Sequence, residues 1–231
     1  MVEGEGFEPS KHEAADLQSA GFDRSPTPPS WSSYYQLPYL LVNTYIIMTM
    51  KHYVTDRELF KSYPESVKEI ILGAGCFWGV ERLFWELPGV WTTYVSYSGG
   101  RRDNPTYEEV CMGVTGHVET VNVFYDQKQI RFETILKNFW ECHDPTQGMR
   151  QGNDIGEQYR SVIFCKDSQQ LEAANISKEV FQTKLDEKGF GLITTEIKIE
   201  TKTFPAEDYH QQYLAKNPNG YCNLKGTGCF L

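Results

Sequence analysis

Between a short apolar run and an amphipathic stretch the chain passes through Gly75-Cys-Phe-Trp-Gly79, and this junction constrains the fold more than any other segment. Val67 to Gly75 reads Val-Lys-Glu-Ile-Ile-Leu-Gly-Ala-Gly, the pattern of a buried strand running into a turn. Val80, Leu83, Phe84 and Leu87 then recur at i, i+3, i+4 and i+7, the period of a helix with one apolar face, until Pro88-Gly89 stops it. Cys76 is therefore predicted at or just before the first helical turn. Unsatisfied backbone N–H groups and the helix dipole favour an anion there, which lowers a thiol's pKa and raises its nucleophilicity. Most free cysteines are merely small buried hydrophobes. Here the flanking glycines and the two adjoining aromatics point instead to a pocket for an apolar group attached to sulfur.

A chain of 231 residues holds one good core with an appendage. Its net charge of -9, with no basic patch, excludes nucleic acid as a partner. Six cysteines are too sparse for a disulfide scaffold, and none forms Cys-x-x-Cys, so reduced thiols in a cytoplasmic protein are expected, with no metal and no cofactor. Residues 1–48 have Glu, Ser and Pro punctuation without periodicity, including Ser25-Pro-Thr-Pro-Pro-Ser30, which reads as linker or disorder. Gly6-Phe-Glu-Pro9 is also what the complement of a tRNA gene's T arm encodes in one frame, so translation is expected to begin at Met48 or Met50. The apolar run from Leu37 to Met50 is broken by Asn43 and Thr44, is shorter than the roughly 20 residues of a spanning helix, and lies too far from the start for a signal peptide. No membrane partner is expected.

The remainder divides into a catalytic domain, 66–216, and a flexible Gly-rich tail, 217–231, which carries Cys222 and Cys229. Val90 to Ser98 and His117 to Asp126 alternate as strands, and Phe132, Ile135, Leu136, Phe139 and Trp140 trace a helix ending at His143-Asp-Pro145. Tyr159 to Cys165 reads as a strand, followed by a long helix with Ala173, Ile176, Val180 and Phe181 on one side. Ile193, Thr195, Ile197 and Ile199 alternate as a half-exposed strand, and Pro205 is placed for the first turn of a helix over Ala206 to Lys216. Strands and helices mixed without strict βαβ repetition predict an α+β two-layer sandwich, a mixed or antiparallel sheet covered by helices. Period-two geometry then puts Glu119 on one strand face with Val121, Val123 and Tyr125. Burial on that face would raise the carboxyl's pKa, leaving a proton donor for the oxygen of an S=O group as its charge develops.

The folded part closely resembles the A-type peptide methionine sulfoxide reductases, from about Ile70 to Cys229. The resemblance is carried by Gly75-Cys-Phe-Trp-Gly79, Tyr97-Ser-Gly-Gly100, Asn104-Pro-Thr-Tyr107, Thr115-Gly-His-Val-Glu119, His143-Asp-Pro-Thr146, Gly152-Asn-Asp154, Gln158-Tyr-Arg-Ser161, Tyr209-His-Gln-Gln-Tyr213 and Gly220-Tyr-Cys222. It implies a ferredoxin-like core and reduction of the S epimer of methionine sulfoxide, free or in proteins. It also implies that Cys76 attacks the sulfoxide sulfur and that Glu119, helped by the Tyr107 and Tyr159 hydroxyls, serves the oxygen. Asp154 would belong to the same polar network, and Phe77 and Trp78 would enclose the S-methyl group. Cys76 sulfenic acid would condense with Cys222, and Cys229 would pass the disulfide to thioredoxin. A monomer is expected.

Many members of the family end Gly-Thr-Gly-Val-x-Cys-Pro or similar. This chain ends Gly226-Thr-Gly-Cys-Phe-Leu231, which makes Cys222 the safer resolving residue and Cys229 an auxiliary. Cys111, Cys142 and Cys165 read as structural, and His117, His143 and His210 as hydrogen-bonding supports. Two rival readings remain: a Cys-His acyl transferase or hydrolase using Cys76 with His117 or His143, and a non-catalytic redox sensor built on a Cys76–Cys222 disulfide.

Overall fold

Alternation along three long strands organises the molecule. In β1 (Val67–Gly73), β2 (Val90–Ser98) and β3 (Val118–Asp126), the residues Ile70, Leu72, Val95, Tyr97, Val121, Val123 and Tyr125 belong to the main core cluster. Ile71 and Val118 join Val162 and Phe164 in a second cluster, while Tyr94 and Phe124 join Leu59 in a third. Each fully buried side chain of this size contributes about 1.5–3 kcal/mol, so the period-two pattern fixes which way every strand faces. The computed structural model describes residues 50–60, 62–199 and 202–231. The 1–48 segment and the expected start at Met48 lie outside those residues.

The helices are α1 (Phe77–Trp85), α2 (Tyr107–Cys111), α3 (Phe132–Cys142), α4 (Ser168–Glu187) and α5 (Tyr213–Lys216). Shorter strands complete the set: β4 (Arg150–Gln151), β5 (Asp154–Ile155), β6 (Val162–Cys165), β7 (Glu196–Ile199) and β8 (Thr203–Pro205). The main sheet runs β7-β6-β1-β3-β2-β8, antiparallel throughout except for the parallel β6/β7 pair at one edge. Within it, β1-α1-β2-β3-α3-β6 has the order β6-β1-β3-β2, the ferredoxin-like arrangement that the α+β reading anticipates. α1 packs on β2 and β3, and α4 packs on β6, β7 and α3.

Several elements depart from the periodicity reading. The expected strand from Ile193 shortens to Glu196–Ile199, and the strand from Tyr159 shortens to Val162–Cys165, with Tyr159 in a 3-10 turn. On α4, Ile176 and Val180 are exposed, and the inward face is Gln170, Ala174, Phe181 and Leu185. Apolar residues occupy both sides of this helix, so periodicity alone does not set its phase. Pro205 ends β8 instead of opening a helix, and Ala206 to Lys216 is only a 3-10 turn, a left-handed Gln212 (φ 48, ψ 42) and the four-residue α5. Tertiary hydrogen bonds override helix formation there. The Gln211 amide bonds both backbone groups of Val95 and the Ala206 carbonyl, and the Gln212 N–H is taken by Glu81.

Glu81 is the hub that ties α1 to its surroundings. It is fully buried and accepts from the Gln212 N–H (2.8 Å), the Gln212 side-chain amide (2.7 Å) and the Thr93 hydroxyl (3.1 Å). Thr93 in turn lies 3.1 Å from Nε2 of buried His52, whose Nδ1 accepts from the N–H groups of Val54 and Thr55. Burial pushes the Glu81 carboxyl up to about 7 in spite of its donors. The described residues from Met50 to Leu59 are thus bonded to and packed against the sheet. Glu81→Ala strands the Gln212 N–H without an acceptor and is expected to cost about 3 kcal/mol or more. Urea denaturation checks it, and an unchanged midpoint contradicts the hub.

The tail after Lys216 has neither helix nor strand, yet it is not loose against the body. Leu231 N donates to Glu141 (2.7 Å) on α3, the Lys188 ammonium reaches the Gly228 carbonyl, and Cys229 is 2 % exposed.

Candidate active site

The β1 to α1 connection turns at Gly75, whose φ of +92 belongs to the left-handed region and whose missing Cβ would fall 2.7 Å from Cγ of Gln151. Cys76 is the N-cap of α1 (φ -52, ψ 122), without a side-chain capping bond. The cap is supplied from the sheet. Glu119 on β3, 0 % exposed, accepts from the Phe77 N–H through Oε2 at 3.1 Å. One orphan donor of the helix terminus is thereby met by one oxygen of a buried carboxyl group, which comes to lie beside the cysteine. Cys76 itself is 9 % exposed.

The two aromatics after the cysteine are buried and held. The Trp78 indole stacks on Tyr213 (centroids 4.0 Å, 18°) and donates from Nε1 to Nδ1 of His210 at 3.1 Å. His210 also contacts Phe77 (5.1 Å) and Tyr107 (4.5 Å) through its ring, and Phe77 lies 6.0 Å from Tyr97. Burial pushes the His210 imidazole down to about 3, so the neutral ring accepts the indole proton. The result is an apolar wall with fixed rotamers next to the thiol.

Tyr107 opens α2, which is capped by the Thr106/Glu109 box, and its N–H donates to Glu207 Oε1 (3.0 Å). The other oxygen of Glu207 accepts from the Tyr97 hydroxyl at 2.8 Å. Tyr97 is opposite Glu119 in the sheet, and burial, then the Glu207 and Glu119 carboxylates, raise its phenol well above the usual value. Tyr159 is 5 % exposed and belongs to the same core cluster as Cys76, Phe77 and Trp78. Asp154, on the β5 arm of the hairpin that covers Gly75, accepts from the Tyr221 hydroxyl at 2.9 Å, and burial raises its carboxyl above the ordinary range. Its hydrogen bond thus ties the tail next to Cys222.

Cys222 is exposed and lies against α1 at Gly79, whereas the Cys229 thiol faces the Lys184 carbonyl of α4 at 3.5 Å. The tail cysteines sit on different helices, so the structure does not bring Cys229 together with Cys76 and Cys222. Burial pushes the Cys142 and Cys165 thiols up to about 12, in keeping with packing roles. Glu207, Gln151, Tyr213 and Tyr221 escape sequence reasoning as site builders. Only their place inside or beside the motifs at 152–154, 209–213 and 220–222 hinted at them.

His117 and His143 are both committed elsewhere. His117 accepts from Gly100 N–H at Nδ1 and bonds the Arg102 carbonyl through Nε2, while His143 uses Nδ1 for the Phe139 carbonyl and Nε2 for Ser161. All four ring nitrogens are engaged by groups other than Cys76, so neither histidine is paired with the thiol as the acyl-transfer reading requires. Among the described residues no group of three or more metal-ligating side chains is found, and no helix is long and apolar enough to cross a membrane.

A cysteine at a helix N-cap on an α+β sandwich, with a buried carboxyl group at its side and an aromatic wall, defines a thiol-dependent enzyme. The profile of the family described as "Peptide methionine sulfoxide reductase" matches residues 68–228. "Peptide methionine sulfoxide reductase MsrA" of Azotobacter vinelandii is 57% identical over 180 residues, covering 78% of this chain and 83% of that protein. The protein of that name from Pseudomonas aeruginosa is 56% identical over 180 residues, covering 78% and 84%. Among solved structures, "Methionine sulfoxide reductase A of Corynebacterium diphtheriae" superposes with a TM-score of 0.71 at 43% identity, covering 77% of this chain and 87% of that one. Mxr1 from Saccharomyces cerevisiae in reduced form gives 0.65 at 36%, covering 70% and 92%. The chain belongs to the peptide methionine sulfoxide reductase family.

Buried neutral histidines make the fold acid-sensitive. Burial holds His143 and His52 down at about 4 and His210 at about 3, below the ordinary 6.5. Their contribution is present above the unfolded value and lost as the pH falls through the folded ones. Stability is expected to decline from pH 6.5 toward 4, by on the order of 3 kcal/mol for His143 alone. Urea titrations across that range check this, and a flat profile contradicts it.

Proposed function

We propose that the protein reduces the S-sulfoxide of methionine, free or in proteins, with Cys76 as nucleophile. The Glu119 carboxyl on the Phe77 N–H, directly beside the N-cap cysteine, carries this reading. Attack by the Cys76 sulfur forms an S–S bond to the substrate, and oxygen can leave that sulfur only when its growing negative charge is met by a proton. Glu119 supplies the proton, and the Tyr107 and Tyr159 hydroxyls polarise the same oxygen. Phe77 and the clamped Trp78 receive the S-methyl group, which sets apolar methyl against polar oxygen at one sulfur and so selects the epimer. Asp154 orders Tyr221 and the chain leading to Cys222.

The protonated oxygen then passes from the substrate sulfur to the Cys76 sulfur as the S–S bond breaks and its electron pair leaves with methionine, so methionine departs reduced and Cys76 is left as a sulfenic acid. Cys222 condenses with it, releasing water, and the disulfide is reduced by thioredoxin, with Cys229 as an auxiliary that must first leave α4. The protein works as a cytoplasmic monomer that repairs oxidised methionine, a setting that suits its sparse cysteines, none of them spaced as Cys-x-x-Cys.

Dithiothreitol-driven turnover of epimer-resolved methionine sulfoxide is expected with the S form only. Turnover of the R form alone, or none, defeats the proposal, and the absence of turnover would leave the redox-sensor reading in its place. Glu119→Gln keeps the acceptor oxygen but removes the acid, and is expected to slow single-turnover methionine release by about 10²-fold or more. Cys76→Ser abolishes all activity, whereas Cys222→Ser still yields one methionine per protein but no longer cycles with thioredoxin. Equal thioredoxin-driven rates in both cysteine variants would contradict these roles.

A further inference from the structure

Cys76, Gly79 and Arg82 follow one another at three-residue spacing along α1, so they lie toward one side of the helix with an axial rise of roughly 4.5 Å between them. The tail crosses this line. A Cβ on Gly79 would be 3.0 Å from Cys222 Sγ and 3.3 Å from Cβ of Leu224. Arg82, half-buried one turn further on, donates from Nη2 to Cys222 Sγ at 3.5 Å. The neighbours of this cysteine are tied from the opposite side, Tyr221 to Asp154 (2.9 Å) and Asn223 to the Gln151 carbonyl (3.5 Å). Helix physics alone disfavours Gly79, since glycine inside a helix costs about 1 kcal/mol relative to alanine. Its lack of a side chain is what lets the tail sulfur approach.

We propose that Gly79 and Arg82 form a seat for the resolving thiol. The bare position at 79 admits Cys222 to the helix surface one turn from Cys76, and the Arg82 guanidinium holds its sulfur there. This deepens the reading above and rests on Cys222 being the resolving residue. In the step served, the Cys222 thiolate attacks the sulfur of Cys76 sulfenic acid. The S–S bond forms, the S–O bond breaks, and the departing hydroxide takes up the proton that Cys222 has lost, leaving as water. Cys222 is oxidised and Cys76 is reduced from the sulfenic to the disulfide level, with no external reductant. A guanidinium on the attacking sulfur complements its negative charge, and its planar donors fix direction in a way an ammonium does not. Arg82 is thus a positioning residue for resolution and takes no part in sulfoxide reduction.

The test follows two rates after one equivalent of S-sulfoxide: methionine release, and conversion of dimedone-reactive Cys76 into disulfide. Arg82→Leu and Gly79→Ala are expected to release methionine within about twofold of the wild-type rate but to form disulfide about tenfold more slowly, the loss of one charge-assisted hydrogen bond or its displacement. Arg82→Lys is expected to recover part of the rate. A merely structural effect would slow both steps together. Wild-type disulfide formation in both Arg82→Leu and Gly79→Ala, or slowing confined to methionine release, overturns the seat. Cys222→Ser separates the two levels: if it still forms the disulfide, the assignment of the resolver fails and the seat falls with it. If it does not, the Arg82 and Gly79 variants judge the seat alone.

Discussion

The bond from the Phe77 N–H to Glu119 holds the site together, because it joins two groups that would each be costly if left alone. A helix begins with donors that have no acceptor inside the helix, and a carboxylate at the centre of a sheet has no water. Satisfying one with the other fixes α1 against β3 and places thiol and carboxyl side by side. Gly75 makes the geometry attainable, since its backbone takes a left-handed conformation in a turn covered by Gln151. The register of β2 on β3 then sets Tyr97 opposite Glu119 and lets Glu207 reach both Tyr97 and α2.

A second set of constraints comes from the segment 207–213, which contributes several side chains through almost no regular structure. Glu207 anchors α2, His210 and Tyr213 hold the Trp78 indole from two directions, and Gln212 is pinned by Glu81. Buried polar bonds are directional, so they specify one arrangement where apolar packing would tolerate several. That rigidity suits a pocket that must tell a methyl group from an oxygen. The tail is held differently, by single hydrogen bonds from Tyr221, Asn223 and Leu231 and by the Lys188 ammonium. Tyr221, Leu224, Cys229 and Leu231 also pack in or against the main core cluster, so the tail rests on the body through apolar contact as well.

Glu119 was legible in the sequence because its strand alternates cleanly, with valines at 121 and 123 assigning its face. Cys76 was legible because a strand pattern and a helix pattern meet there. The phase of α4 was not, since Ile176 and Val180 lie on a face that the fold leaves exposed. Pro205 misled for a related reason: its fixed φ suits a helix start and an edge strand alike. Cys229 read as part of a loose tail because glycines surround it, yet its thiol lies against the Lys184 carbonyl.

By itself the sequence determined the local elements and their chemistry: a thiol at a helix start, a carboxylate on an apolar strand face, aromatics beside the thiol and two cysteines in a glycine-rich tail. These follow from propensity and period, which act between residues a few positions apart. Tertiary structure alone decided that Glu119 caps α1, that Gln212 turns left-handed under Glu81, that His210 accepts a hydrogen bond from the Trp78 indole and that Cys222 rests over Gly79. Those contacts join residues 42 to 143 positions apart in the chain. Their geometry comes from sheet order and helix packing, which no local pattern encodes.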